Sequence, residues 1–298
     1  MNAIETKNLT KYYGKSRGIV DVNLSVPKGD FFGFVGPNGA GKSTFIRTLL
    51  GLIHPNSGSA KIFGMDISNR RNEVLQKIGY LPSEVILYKS MKVKDILAYS
   101  ADMRNIECRE YAMLLCELLE LEAERKVSEL SFGNRKKVGI VCAMQHKPDL
   151  YILDEPTSGL DPLMQRQFFS ILQKQNDEGA TVFLSSHNLS EIERYCKHAA
   201  VIREGKILVA DSVGNLGYSG VKRVTLRQVE NWVSWSDVKD EKSEGDSITF
   251  LYEGDTKLLL NRLLTLSFAD FSITDPDLEE VFLHYYEKEQ RSDDGIST

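Results

Sequence analysis

Residues Gly36-Pro37-Asn38-Gly39-Ala40-Gly41-Lys42-Ser43-Thr44 lie between an apolar run, Phe31 to Val35, and a helical pattern. Few short segments restrict a fold so tightly. The spacing predicts a phosphate-binding loop, which needs a buried strand to deliver it and a helix N-terminus to follow it. Glycines let the backbone aim successive N–H groups at a phosphate. Lys42 can reach the β and γ oxygens and Ser43 can hold Mg²⁺, while Asn38, Gly39, Ala40, Gly41 and Thr44 complete the cradle. The expected ligand is a nucleoside triphosphate, held by an α/β fold of the P-loop NTPase type.

A second signal, Leu150-Tyr151-Ile152-Leu153-Asp154-Glu155, is an apolar strand ending in two adjacent carboxylates. Asp154 is placed to organise Mg²⁺ through water, and Glu155 to take the proton of a water attacking the γ-phosphate. Pro156-Thr157-Ser158-Gly159-Leu160-Asp161 must then be a loop, with Pro162 opening a helix. His187 follows another apolar strand, Thr181 to Leu184. Open α/β sheets bind ligands at such strand ends, so His187 is a candidate hydrogen-bond donor to the γ-phosphate.

The formal charge of -5 speaks against a nucleic-acid partner, which would want a basic footprint. Cys108, Cys116, Cys142 and Cys196 lack metal-pair spacing and read as reduced and structural. The N-terminus has no basic segment leading into an apolar one, and no apolar stretch approaches the length of a membrane span. Neither a cleaved signal nor a spanning helix is expected.

Short strands are expected from residue 3 to 35. Helical periodicity dominates from about Glu73 to Leu130, with Leu114, Leu115, Leu118, Leu119 and Leu121 as an apolar stripe. Unalternated apolar strands between helices from Asp149 to Ile202 imply a mainly parallel sheet covered on both faces. The predicted organisation is a nucleotide domain over 1–212 with an antiparallel β subdomain and a helical subdomain at about 85–148. A linker at 213–220, a small α+β domain at 221–289 and a loose tail at 290–298 follow. Within the small domain, Lys239 to Asp246 reads as a solvated turn, and helices are expected at Lys257 to Leu266 and Leu278 to Tyr286.

In combination and order, these motifs resemble the ATP-binding subunit of ABC transporters over residues 3 to about 210. The resemblance implies that Tyr13 stacks on adenine, Asp161 belongs to a dimer-contacting loop, and His187 is the switch histidine. The family's LSGGQ signature is matched by Leu130-Ser131-Phe132-Gly133-Asn134, with Phe132 in place of a glycine and Asn134 in place of the glutamine. Ser131 and Gly133 would then cap ATP held by an opposing subunit; the plainer reading of Ser131 is a helix N-cap. Ser83 stands where the family usually has a glutamine that senses Mg²⁺ and the membrane partner, so either water bridges the gap or Glu84 shares the duty. This serine, the variant signature and Asp275-Pro276-Asp277-Leu278-Glu279-Glu280-Val281-Phe282 resemble exporter-type subunits with a C-terminal extension.

The resemblance implies an ATPase that binds ATP and Mg²⁺ and pairs with a second copy or a paralogous ATP-binding subunit. It would drive separately encoded permease subunits from the cytoplasmic side of the cell membrane. The alternatives are a soluble regulatory module of the same fold without a membrane partner, and an ATP-holding scaffold without turnover. The intact Lys42, Asp154, Glu155 and His187 oppose the last.

Overall fold

A computed structural model describes residues 1–217, 221–230 and 232–275. The chain divides into two compact units, Met1–Asp211 and Ser212–Thr298. In the first, β1 (Asn2–Tyr13) and β2 (Ser16–Pro27) form a long antiparallel hairpin. β3 (Phe31–Val35) is buried at every position, and α1 (Lys42–Leu49) follows the loop between them. β4 (Ser57–Ile62) and β5 (Met65–Asp66) complete a four-stranded sheet in the order β2-β1-β4-β5.

Next come α2 (Arg71–Gln76), β6 (Ile78–Leu81), α3 (Val93–Asp102), α4 (Arg109–Leu118) and α5 (Phe132–Met144). The helical periodicity from Glu73 is therefore interrupted by a strand at β6. Leu115, Leu119 and Leu121 are buried, whereas Leu114 and Leu118 are exposed, so the α4 stripe is narrower than the leucine run suggests. The remaining elements are β7 (Leu150–Asp154), α6 (Pro162–Asp177), β8 (Thr181–Ser186), α7 (Leu189–Tyr195), β9 (His198–Arg203) and β10 (Lys206–Ser212).

The second sheet has the order β10-β9-β3-β8-β7-β6, and its pairs from β9 to β6 are parallel. β3, β7 and β8 are buried throughout, as a sheet covered on both faces requires. Phe34 of β3 lies 4.9 Å from Phe45 of α1 and 5.2 Å from Phe183 of β8, measured between ring centroids. These rings weld the helix that follows the phosphate loop to the sheet that delivers it. Truncating such a buried phenylalanine to alanine typically costs about 3–5 kcal/mol.

In the second unit, α8 (Val213–Gly217) occupies part of the expected linker. Ser212 explains it: its hydroxyl accepts from the Asn215 backbone N–H at 3.2 Å, a start signal in a glycine-rich stretch. β11 (Val221–Arg227), β12 (Val238–Glu244), β13 (Ser247–Glu253) and β14 (Asp270–Thr274) form an antiparallel sheet ordered β12-β13-β11-β14, and α9 (Thr256–Leu263) joins its apolar core. Val224, Leu226, Phe250, Tyr252, Leu259 and Leu263 fill that core, with Trp232 and Trp235 packed beside it. The expected solvated turn from Lys239 is instead mostly β12, and Gly245 makes the turn after it. Its charge conceals the strand but suits an exposed edge, where Lys239 pairs with Glu253 of β13 and Glu241 accepts from the Trp232 indole. The expected helix from Leu278, most of the motif from Asp275 and the tail lie outside the described residues. Among the described residues, no helix is long and apolar enough to cross a membrane.

Candidate functional site

The loop from β3 to α1 is built by close approach. A Cβ on Gly36 would fall 2.2 Å from the Ile202 carbonyl oxygen of β9, so the chain passes there only without a side chain. Gly41 caps α1 in the left-handed region at φ 108°, which glycine adopts without steric cost. Lys42 is buried, and its Nζ donates to the Gly36 carbonyl at 2.6 Å and the Pro37 carbonyl at 3.3 Å. The ammonium is thus folded back across the loop that precedes it.

β7 and β8 bring the acidic side to the same place, with Asp154 in register with Ser185. The Asp154 carboxylate accepts from Ser43 at 2.8 Å and from Ser185 at 3.1 Å. Glu155 turns away at φ 49°, a left-handed conformation that a non-glycine residue adopts at a cost of about 1–3 kcal/mol. That turn aims its carboxylate between two cations or donors. Glu155 Oε1 lies 3.4 Å from Lys42 Nζ, and Oε2 lies 2.6 Å from His187 Nδ1. The Lys42 contact is charge attraction, because Oε1 is buried and accepts no hydrogen bond. An ionised carboxylate can only accept, so His187 donates.

A buried carboxylate that the sequence reading missed braces these two residues from behind. Glu191 of α7 accepts from Thr157 at 2.8 Å and from Ser186 at 2.9 Å, tying the loop after Glu155 to the strand end before His187. Burial raises its pKa, and the two hydroxyl bonds oppose that rise. Only its spacing from His187 could have hinted at the role.

These residues surround a cleft of about 300 Å³ lined by Pro37, Asn38, Gly39, Gly41, Lys42, Ser43, Thr44, Ser83, Asp154 and Glu155. Arg17 and Gly18, not singled out in the sequence, line it too. Arg17 also donates to Glu204 at 2.7 Å. Ala40 does not line the cleft: it is buried beneath the loop, with its N–H donated to the Pro37 carbonyl at 3.1 Å. Tyr13 is half-exposed at the rim, where a Cβ on Gly18 would meet its ring at 3.3 Å. His187 touches the cleft through Glu155. Ser83 lines it, whereas Glu84 is exposed and does not.

Ser131 and Gly133 lie outside that lining. Ser131 caps α5 by accepting from Asn134 N at 3.2 Å. Phe132 needs no positive φ, because it is the first residue of the helix, so its place in a glycine position creates no backbone strain. Its ring instead covers Gly159, where an added Cβ would sit 2.3 Å from the ring. A Cβ added at Gly133 would fall 2.6 Å from the Gly159 carbonyl oxygen. Asp161 caps α6, accepting from Leu163 and Met164 N–H groups at 3.0 Å each, and these bonds, that of Met164 foremost, hold its carboxyl below the usual range.

The residues present fit a Mg·nucleotide. Ser43 and Asp154 offer hard oxygen ligands, and Glu155 Oε1 is a buried acceptor still without a hydrogen bond. Among the described residues, no group of three or more His, Cys, Asp or Glu could hold a metal ion. A bound Mg²⁺ would therefore complete its shell with phosphate oxygens and water, as Mg²⁺ commonly does.

The ABC transporter family matches residues 19–158. The bacitracin transport ATP-binding protein BcrA of Bacillus licheniformis is 40% identical over 69% of this chain and 68% of its own length. YhaQ of Bacillus subtilis, an uncharacterised ABC transporter ATP-binding protein, is 32% identical over 93% of this chain and 96% of its own length, so the likeness extends into the second unit. YbhF of Escherichia coli, a probable multidrug ABC transporter ATP-binding protein, is 34% identical over 72% of this chain, and the match spans 38% of YbhF. A solved ATP-binding subunit of an ABC transporter superposes with a TM-score of 0.67 at 30% identity, covering 72% of this chain and 91% of that one. A dimeric bacterial ABC transporter cassette gives 0.62 at 26% identity, over 70% and 98% of the two chains.

Proposed function

Since the chain belongs to the ABC transporter family as an ATP-binding subunit, we propose that its cleft binds Mg·ATP and hydrolyses it to drive a separately encoded permease, in the direction of export. The observation that carries this reading is the convergence of Lys42, Ser43, Asp154, Glu155 and His187 through direct polar contacts at one cleft. Lys42 leaves its carbonyl partners for phosphate oxygens when nucleotide enters. Ser43 and Asp154 would hold Mg²⁺, and Ser83, in the same cleft lining, would assist them. Mg²⁺ held there would supply positive charge to offset the charge that develops on the phosphates.

Glu155 Oε1 takes the proton of the attacking water, and His187 fixes the same carboxylate through Oε2. Tyr13 supplies an aromatic face for adenine. Ser131 and Gly133, outside the lining of this cleft, serve the nucleotide of a second copy or a paralogous subunit, a reading that the dimeric state of a solved cassette supports. The assembly sits on the cytoplasmic side of the membrane through its permease. Relatives named for bacitracin transport and for probable multidrug transport support the export reading.

The test is co-purification from membranes followed by reconstitution in vesicles. ATP hydrolysis that rises with the membrane protein and accompanies substrate movement is expected. Vigorous hydrolysis by a chain that never associates with a membrane protein would instead favour a soluble regulatory ATPase.

A further inference from the structure

Ser83 is too short to cross the cleft as a longer amide would, yet its position is firmly set from behind. Lys136, in the second turn of α5, is 1% exposed, and its Nζ donates to the Ser83 carbonyl at 2.9 Å and the Pro82 carbonyl at 3.1 Å. A buried ammonium is costly unless its protons are satisfied. Among the described residues no carboxylate lies within ion-pair distance of it, and the two carbonyls accept from its ammonium. The cation is therefore spent on holding backbone.

Three residues further along the same helix face, Gly139 makes room for the rest of the segment. A Cβ there would lie 2.7 Å from Val85 and 3.0 Å from Leu81. The stretch from Leu81 to Val85 thus lies along α5, bonded by Lys136 and seated against Gly139. The N-terminus of that helix carries Ser131 and Gly133. One rigid element consequently holds both the signature residues and the only cleft-lining residue contributed by the chain between Thr44 and Asp154.

We propose that Lys136 is a positioning residue for ATP hydrolysis: it clamps the Ser83 backbone to α5, so that closure of the signature segment on a nucleotide and placement of Ser83 in the cleft occur as one movement. Lys136 acts through Ser83 and touches no nucleotide. The inference rests on the ATPase reading and adds to it the residue that links two parts of the machinery. It also accounts for a departure from the family pattern, since a short side chain at 83 demands a precisely held backbone.

The test uses the full chain assembled with its membrane protein and measures the ATP dependence of hydrolysis. Lys136→Met should lower kcat about tenfold with KM for ATP within about twofold, because a step after binding is affected. Lys136→Arg, which keeps donors and charge, should recover much of the loss. Ser83→Ala should add little in the Lys136→Met background, since one change removes the Ser83 hydroxyl and the other its placement in the cleft. Gly139→Val is a second route, lifting Val85 and Leu81 from the helix with Lys136 intact, and should give the same split between kcat and KM. Wild-type kcat in either folded variant, or losses at 83 and 136 that multiply independently, would overturn the proposal. A wild-type assembly that does not hydrolyse ATP would overturn the functional reading instead.

Discussion

The phosphate-loop side of the cleft and the signature segment are both helix N-termini offered to an anion, but they are prepared differently. Around the loop, polar groups already bond to one another: Ser43 and Ser185 to Asp154, His187 to Glu155, and Lys42 to its own loop. The signature segment has satisfied its own cap through Ser131, and Phe132 leans on Gly159 with its ring still half in solvent. One side is arranged before a ligand arrives; the other is capped, exposed and waiting for a surface. Under the proposed function, preorganisation resides where charge would change during reaction, and adaptability where a second chain would dock.

Breaking the prearranged side should have the largest consequence. Glu155→Gln keeps the shape and the His187 contact but cannot accept a proton, so turnover should fall by about 10²–10⁴-fold while ATP stays bound. Steady-state hydrolysis and sizing in the presence of ATP check this, with a longer-lived dimer expected; wild-type turnover would remove Glu155 from the chemistry. Lys42→Ala should cost about 10²–10³-fold in kcat, the range for losing one preorganised charge-stabilising donor. Retained hydrolysis would mean that the ammonium serves the loop carbonyls alone.

Tyr13→Ala probes the rim. Loss of a base-stacking ring typically weakens binding by about 1–3 kcal/mol, and titration with a fluorescent ATP analogue measures it. Unchanged affinity would pass the adenine to other groups, with Arg17 and Gly18 in the cleft lining as candidates. The gentlest test addresses the waiting side. Ser131→Asp retains a good N-cap, so the fold should be spared, but it places a carboxylate where an opposing γ-phosphate would lie. In a mixed dimer with a Lys42→Ala chain, both lesions fall on one of two sites, and about half of wild-type hydrolysis should survive if the sites are independent. Complete loss in verified mixed dimers would contradict two separately competent sites.

What the sequence discloses follows from where its chemistry is local. Gly36 to Thr44 and the pair Asp154 and Glu155 are contiguous, and their spacing alone implies the strand ends on which they sit. Arg17, Gly18 and Glu191 escape notice because they join the site only through tertiary folding, as when β2 brings Gly18 against Thr44 or α7 turns one carboxylate toward two hydroxyls. Lys136 looks like one more cation in Arg135-Lys136-Lys137; Lys137 is buried as well, and what sets Lys136 apart is the pair of backbone carbonyls its ammonium bonds. β12 was hidden for the converse reason: an edge strand can dispense with the apolar alternation by which strands are recognised.

The position of β3 between β8 and β9 carries a consequence for synthesis. Phe31 pairs with Val182, so the strand that delivers the phosphate loop leaves the ribosome about 150 residues before its first parallel neighbour. At about 5–20 residues per second, that interval is roughly 8–30 s. The β1–β2 hairpin can form meanwhile from local contacts, but β3 remains an unpaired apolar segment. Its shelter until translation reaches β8 falls to the nascent chain's own collapse or to a chaperone. A polypeptide ending before Thr181 would carry the whole phosphate-loop sequence and yet lack the sheet that turns it into a site.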